Sequence, residues 1–118
     1  LLLYYRLDKN YYVGDVITIN KDDEKYVLRI IAGPGDKVEI KDGDKLLING
    51  SYQSENNIFY KTGEYEDSDV KFPLQLKNNE YFVLGDLRQG AKDSRYFGPI
   101  TKDNIIGKVF SLFRRSNF

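Results

Sequence analysis

Lys25-Tyr26-Val27-Leu28-Arg29-Ile30-Ile31-Ala32-Gly33-Pro34-Gly35-Asp36-Lys37-Val38-Glu39-Ile40 is the stretch that decides the fold class. Its first half, Lys25 to Ile31, reads as a strand. Gly33-Pro34-Gly35-Asp36 then places Pro at the first central position of a turn and Gly at the second, as a type II turn demands. Lys37-Val38-Glu39-Ile40 alternates polar and apolar with the period of a half-buried strand. Strand, turn and strand follow one another with no room for a helix. Upstream, Gly14-Asp15 introduces the β-branched run Val16-Ile17-Thr18-Ile19, which Asn20-Lys21-Asp22-Asp23 ends. Downstream, Asp42-Gly43 is a hairpin signal, and Leu46-Leu47-Ile48 returns before an Asn49-Gly50 turn. Turns recurring every 8–12 residues or so predict an antiparallel, mainly β protein with little helix.

The remainder extends that pattern. Leu1 to Leu7 is apolar and aromatic, then Asp8-Lys9-Asn10 turns. Between Ser51 and Asn79 the periodicity weakens, and 51–80 is expected to be a surface excursion. Its acidic segment, Gly63 to Asp69, is either a solvated loop or a patch for a basic partner. Glu80 to Leu84 resumes a strand. Thr101-Lys102-Asp103-Asn104 is placed to cap a single helical turn, and Ile106 to Phe113 closes the chain as a strand. No segment sustains a 3.6-residue apolar period.

At 118 residues the chain is read as one domain, 1–118, large enough for a modest core. Eighteen basic residues balance eighteen acidic ones, so the broad positive field of a nucleic-acid binder is lacking. Neither Cys nor His occurs, which removes disulfides, thiolate chemistry, a Ser-His-Asp triad and a His-ligated metal within the chain. No metal or cofactor is expected. No apolar run approaches the roughly 18 residues of a membrane span.

Gly85 to Ile100 concentrates the charge. Asp86, Arg88, Asp93 and Arg95 alternate in sign among three glycines, which points to internal pairing rather than solvation. Asp93-Ser94-Arg95-Tyr96-Phe97-Gly98 follows Gly85-Asp86-Leu87-Arg88 with seven residues from Asp86 to Asp93. Together with Gly14-Asp15-Val16 and with the Pro34-Gly35-Asp36 turn after Arg29, in this order, the chain resembles the type I signal peptidase family over nearly its whole length.

The resemblance implies a β-rich domain on the outer side of the cell membrane, carried by an N-terminal anchor expected upstream of Leu1. It implies removal of signal peptides from exported preproteins by a Ser-Lys dyad. The serine's motif is likewise expected upstream of Leu1. A lysine is a base only when neutral, so burial must draw its pKa from ~10.4 toward ~7–8. It then accepts the serine's proton as the serine attacks the scissile carbonyl.

At the position the family gives to that lysine, immediately before Arg29, this chain has Leu28. Lys25 lies on the opposite face of a period-2 strand, and Lys37 lies past the turn. Where the family has a serine that helps position the lysine, this chain has Ala91, and Leu87 replaces a usual Asn. A hydroxyl at 91 would have no ammonium to serve beside Leu28, so the two apolar residues belong together. No catalytic residue is therefore assigned. Arg29, Asp86, Arg88, Asp93, Ser94 and Arg95 are expected to support the former site. Leu28 and Ala91 are expected to meet in an apolar concave region that forms a groove. Arg29, Asp93 and Arg95 are expected to pair behind it, and Asp86 and Arg88 to bond to each other and to the loop backbone. Ser94 reads as a backbone-bonding turn residue, and a new dyad of Ser94 with Lys92 is disfavoured.

Two functions follow from the resemblance. One is a non-cleaving relative of the kind that assists sortase-dependent pilus assembly in Gram-positive bacteria, with a pilin precursor or sortase as partner. Either the old groove or the 63–69 segment would hold that partner. The other is an active endopeptidase that uses an upstream serine and a non-standard base. The self-cleaving repressor peptidases share the Ser-Lys logic, but the Asp93-Ser94-Arg95 stretch argues against them.

Overall fold

The computed structural model describes residues 3–6, 10–53, 65, 68–88 and 90–111. Among these described residues ten strands form two antiparallel sheets. The larger contains β1 (Leu3–Arg6), β10 (Ile105–Ser111), β2 (Val16–Lys21), β3 (Glu24–Ala32), β8 (Glu80–Leu84) and β9 (Ile100–Thr101), in that spatial order. The smaller contains β6 (Ser51–Tyr52), β5 (Lys45–Ile48), β4 (Lys37–Lys41) and β7 (Leu74–Gln75). The mainly antiparallel β architecture expected from the sequence is the one observed.

The turn at Gly33–Asp36 carries the chain from the first sheet to the second. Asp36 N–H donates to the Gly33 carbonyl at 3.0 Å, and Gly35 adopts φ +86°, the left-handed conformation that a type II turn requires there. The Asp36 carboxylate ties this turn to its surroundings. Its Oδ2 accepts from Gly33 N–H and its Oδ1 from the Asn49 amide, both at 2.9 Å. The Asp42-Gly43 and Asn49-Gly50 turns close the β4–β5 and β5–β6 hairpins with both residues of each at positive φ.

Each sheet contributes to an apolar cluster, and β8 belongs to both. Tyr81 and Val83 pack with Ile17, Ile19, Leu28, Ile30 and Ile100. Phe82 and Leu84 face the other way, against Ala32, Val38, Ile40, Leu46 and Leu76. A strand covered on both faces reads as an unbroken apolar run, which is the pattern of Tyr81-Phe82-Val83-Leu84. The excursion is only partly visible: residues 54–64, 66 and 67 lie outside the described residues, and with them most of the acidic 63–69 segment. Among the described residues no helix is long and apolar enough to cross a membrane.

Phe82 is fully buried, with its ring 6.0 Å from that of Phe72. Phe82→Ala is expected to lower unfolding free energy by about 3–5 kcal/mol, because it removes the ring and leaves a cavity between the sheets. Urea denaturation followed by tyrosine fluorescence measures this.

Candidate functional site

The site is built where β8 runs past its neighbour. β9 pairs with β8 only at Glu80 and Tyr81. Beyond that point the loop's side chains take over. Val83 N–H donates to Ser94 Oγ at 2.9 Å, and Gly85 N–H donates to Asp93 Oδ2 at 3.0 Å. Asp93 also caps a short helix, α1 (Ser94–Phe97), by accepting Arg95 N–H on Oδ1. The helix was not foreseen from the sequence. An Asp at the N-cap with Gly98 just past the last turn is its signal, but four residues are too few to show helical periodicity.

Asp93 and Arg95 form a buried pair. Arg95 Nε donates to Asp93 Oδ1 at 3.0 Å and Nη2 to Oδ2 at 2.9 Å. Arg95 Nη2 also donates to the Arg88 carbonyl at 2.6 Å. The two side chains are 2% and 0% exposed, so each charge is sustained by the other and by these hydrogen bonds. Arg88 is buried too and sends Nε to the Gly85 carbonyl at 2.8 Å. Ser94 thus bonds the backbone of β8, and Asp93, Arg95 and Arg88 fold the loop onto it.

Arg29 is not part of that cluster. It was expected to pair with Asp93 and Arg95, but its Nε and Nη2 both donate to the Asp86 carboxylate at 2.9 Å, and its Nη1 donates to the Gly14 carbonyl. The reason is strand alternation. Arg29 projects from the face of β3 opposite Leu28. Asp86, leaving β8 next to Leu84, stands across from Arg29, because Arg29 and Leu84 are directly paired. The expected Asp86–Arg88 bond is likewise replaced as the main contact of Asp86. The hydrogen bonds from Arg29 hold the Asp86 carboxyl below the usual carboxylate range, and the charges of Arg29 and Arg88 pull it the same way against partial burial. Those bonds also raise the Arg29 pKa.

Leu28 and Ala91 converge on one point. A Cβ built on Gly85 would lie 2.7 Å from Ala91 Cβ and 3.7 Å from Leu28 Cδ2, so only glycine fits at residue 85. Leu28 is 6% exposed and belongs to the apolar cluster around Ile17, Ile30 and Val83. Lys25 is exposed on the other face of β3. Lys92 is exposed too, its ammonium 4.8 Å from the Tyr96 ring centroid.

Tyr65 was not singled out from the sequence, where it lies among acids read as a solvated loop. Its hydroxyl donates to the Ala91 carbonyl, and the Arg95 guanidinium lies 4.7 Å from its ring centroid. An aromatic within a polar run was the available signal.

β3 leaves an edge open beside this point. It pairs with β2 from Glu24 to Arg29, but with β8 only from Arg29 onward. Among the described residues no strand covers Lys25–Leu28 on the β8 side. Ile30 bonds toward the β2 side, so alternation aims the backbone groups of Val27 and Lys25 toward the uncovered side.

These features define an antiparallel β domain of the signal peptidase class, with Leu28 and Ala91 meeting beside Gly85. Comparison with known proteins agrees on the class. The family described as "Signal peptidase, peptidase S26" matches residues 3–113. Signal peptidase IB of Staphylococcus aureus is 40% identical over 115 residues, covering 85% of this chain and 59% of that protein. Signal peptidase I S of Bacillus subtilis is 41% identical over 107 residues, covering 85% of this chain and 58% of that protein. A crystal structure of a signal peptidase I from Enterococcus faecalis V583 superposes with a TM-score of 0.71 at 27% identity, covering 87% of this chain and 98% of that one. The chain belongs to the signal peptidase S26 family, and it spans about three-fifths of the length of the curated relatives it matches.

Two predictions test the geometry. Gly85→Ala is expected to cost about 1–3 kcal/mol by overpacking, and Ala91→Gly in the same chain is expected to relieve much of that cost. Additive losses in the double-mutant cycle would refute the contact. Asp86 has a folded pKa below its unfolded value of ~3.9. Its contribution is therefore present above pH ~3.9 and is lost as pH falls through the depressed value. The stability difference between the parent chain and Asp86→Asn is expected to shrink below pH ~4, and it is expected to stay under ~1 kcal/mol because the pair is half exposed. Denaturant midpoints measured from pH 2 to 7 check both points.

Proposed function

We propose that this chain binds an extended segment of an exported protein, or of a protein that handles one, without cleaving it. The observation that carries this reading is Leu28, buried among apolar side chains at the position where the family places its general base. A leucine accepts no proton, and Ala91 beside it offers none of the polar support a neutral lysine would need. The binding half of the old activity needs no base. The free backbone groups of Lys25 and Val27 accept an added strand through main-chain hydrogen bonds, with side chains of alternate residues directed to the surfaces on either side. In the assignment favoured here the segment belongs to a pilin precursor or a sortase, and the domain acts in pilus assembly on the outer side of the cell membrane, held by an anchor upstream of Leu1.

One observation favours a second reading. The relatives matched at 40–41% identity are named as signal peptidases. On that reading a serine upstream of Leu1 acts with a base other than residue 28 on the signal peptides of exported preproteins.

Cleavage of synthetic signal-peptide and pilin-precursor substrates by the full-length protein separates the two. The expected outcome is binding with no turnover, with amide shifts centred on Lys25 and Val27 in NMR titrations. Turnover that disappears when an upstream serine is replaced would overturn the non-cleaving reading. Binding that leaves the Lys25 and Val27 amides unmoved would overturn the strand-addition mode.

A further inference from the structure

The excursion begins and ends in the smaller sheet, leaving β6 at Tyr52 and returning at Leu74 of β7. Between those ends Tyr65 reaches the loop beyond β8. Its hydroxyl donates to the Ala91 carbonyl and accepts from Arg95 Nη2 at 3.4 Å. The Arg95 guanidinium lies 4.7 Å from the Tyr65 ring centroid, and the ring meets that of Tyr96 edge-on at 6.3 Å. Arg95 is itself held by Asp93 and by the Arg88 carbonyl, so Tyr65 is seated on a buried cation that has other ties. Three residues on, Ser68 Oγ donates to the Tyr96 carbonyl at 2.9 Å and accepts from Val70 N–H at 3.1 Å. Of these two fastenings, that of Tyr65 ends on Ala91 and that of Ser68 ends on α1.

Ala91 is where the first fastening acts. It lies between two anchored points of the loop, the Arg88 carbonyl bonded by Arg95 and Asp93 at the N-cap of α1. The backbone between those points is irregular. Gly90 is exposed and left-handed at φ +80°, and Lys92 is exposed. Yet Ala91 packs closely on its inner side, because a Cβ on Gly85 would come within 2.7 Å of its own. Leu28 lies against the same point and is the last residue of β3 before the pairing with β8 begins. The place of Ala91 therefore sets the space beside the end of the uncovered edge.

We infer that Tyr65 is a positioning residue for the strand-accepting edge: its hydroxyl fixes Ala91 against Gly85 and Leu28, and the excursion is the brace that carries it. The effect on binding rests on the strand-addition reading, whereas the placing of Ala91 stands on the contacts alone. A hydroxyl that accepts from Arg95 while donating to Ala91 joins the outer part of the loop to the buried pair that folds it. Without that donor the Ala91 carbonyl turns to water, and the loop loosens between Arg88 and Asp93. A segment added beside Leu28 then has to order this wall as it binds, and its affinity falls. The coupling is reciprocal, so a bound segment strengthens the Tyr65 contact by the same factor.

Tyr65→Phe keeps the ring over Arg95 and removes the hydroxyl. Ser68→Ala cuts the fastening that ends on α1 and serves as the control. In the peptide-free protein Tyr65→Phe is expected to shift the NMR signals of the Leu28 methyls and the Gly85 amide and to speed exchange of that amide about fivefold. Ser68→Ala is expected to leave them in place. Leu28 and Gly85 signals that stay put in Tyr65→Phe would overturn the inference. Fluorescently labelled decapeptides of Val, Ser and Thr that shift the Lys25 and Val27 amides are expected to bind Tyr65→Phe about fivefold more weakly and Ser68→Ala as tightly as the parent chain. Affinities are measured well below each variant's unfolding midpoint. An equal loss in both variants would make Tyr65 a general fastener and overturn the positioning role, as would an unchanged affinity in Tyr65→Phe. Peptides that fail to move the Lys25 and Val27 amides of the parent chain would defeat strand addition. The peptide-free signals then decide for Tyr65: shifted Leu28 and Gly85 uphold its placing of Ala91, and unshifted ones overturn it.

Discussion

Two backbone donors at the end of β8 and just past it, Val83 N–H and Gly85 N–H, emerge where the neighbouring strand β9 has ended, and two side chains receive them. Each would cost about 1–3 kcal/mol if buried unpaired. Ser94 and Asp93 supply the acceptors. The rest of the site depends on that substitution of side chain for strand. Asp93 accepts four hydrogen bonds, and two of them come from the guanidinium of Arg95 buried beside it. The loop from Asp86 to Ala91 then closes over the guanidinium through the Arg88 carbonyl. Ala91 is drawn so close to Gly85 that no side chain fits between them.

The charges around the site belong to two systems of very different weight. Asp93 and Arg95 are fully enclosed, and losing one partner strands the other at a cost of about 3–5 kcal/mol. Arg29 and Asp86 are each more than a third exposed, where a pair contributes about 1 kcal/mol or less. Neither system includes residue 28. The side chain at residue 28 can therefore vary without disturbing the charges that hold the loop. Leu28 even joins the larger sheet's apolar cluster, where an amine would have to be desolvated.

Much of this was legible in the sequence, for a common reason: local chemistry fixed it. Pro34-Gly35 dictated a type II turn, Asp42-Gly43 and Asn49-Gly50 dictated the hairpins, and Glu80 to Leu84 announced a strand. The Asp93-Ser94-Arg95 triplet carried the family. What stayed hidden depended on contacts between residues far apart in the chain. The partner of Arg29 follows from the register of β3 on β8, which no spacing in the sequence specifies, so a pairing with Asp93 and Arg95 was expected and Asp86 was found. Tyr65 reaches Ala91 across 26 residues from a segment whose composition reads as solvated. A cleft lined by Asp22, Ser68 to Val70, Tyr96 and Phe97 is assembled from three such distant pieces.

Cutting and holding a peptide make separate demands on this architecture. Cutting with a Ser-Lys dyad needs a neutral amine beside the nucleophile, which a leucine does not supply. Holding needs an unpaired strand edge beside a loop that does not move, and that depends on the backbone and on Asp93. An uncovered edge normally invites unwanted pairing, and charged side chains along it are the usual protection. Glu24 and Lys25 provide this at the turn end of β3, but Val27 is 59% exposed, an apolar residue on the part of the edge nearest Leu28. Protection is therefore greatest at the turn end of β3 and least beside Leu28.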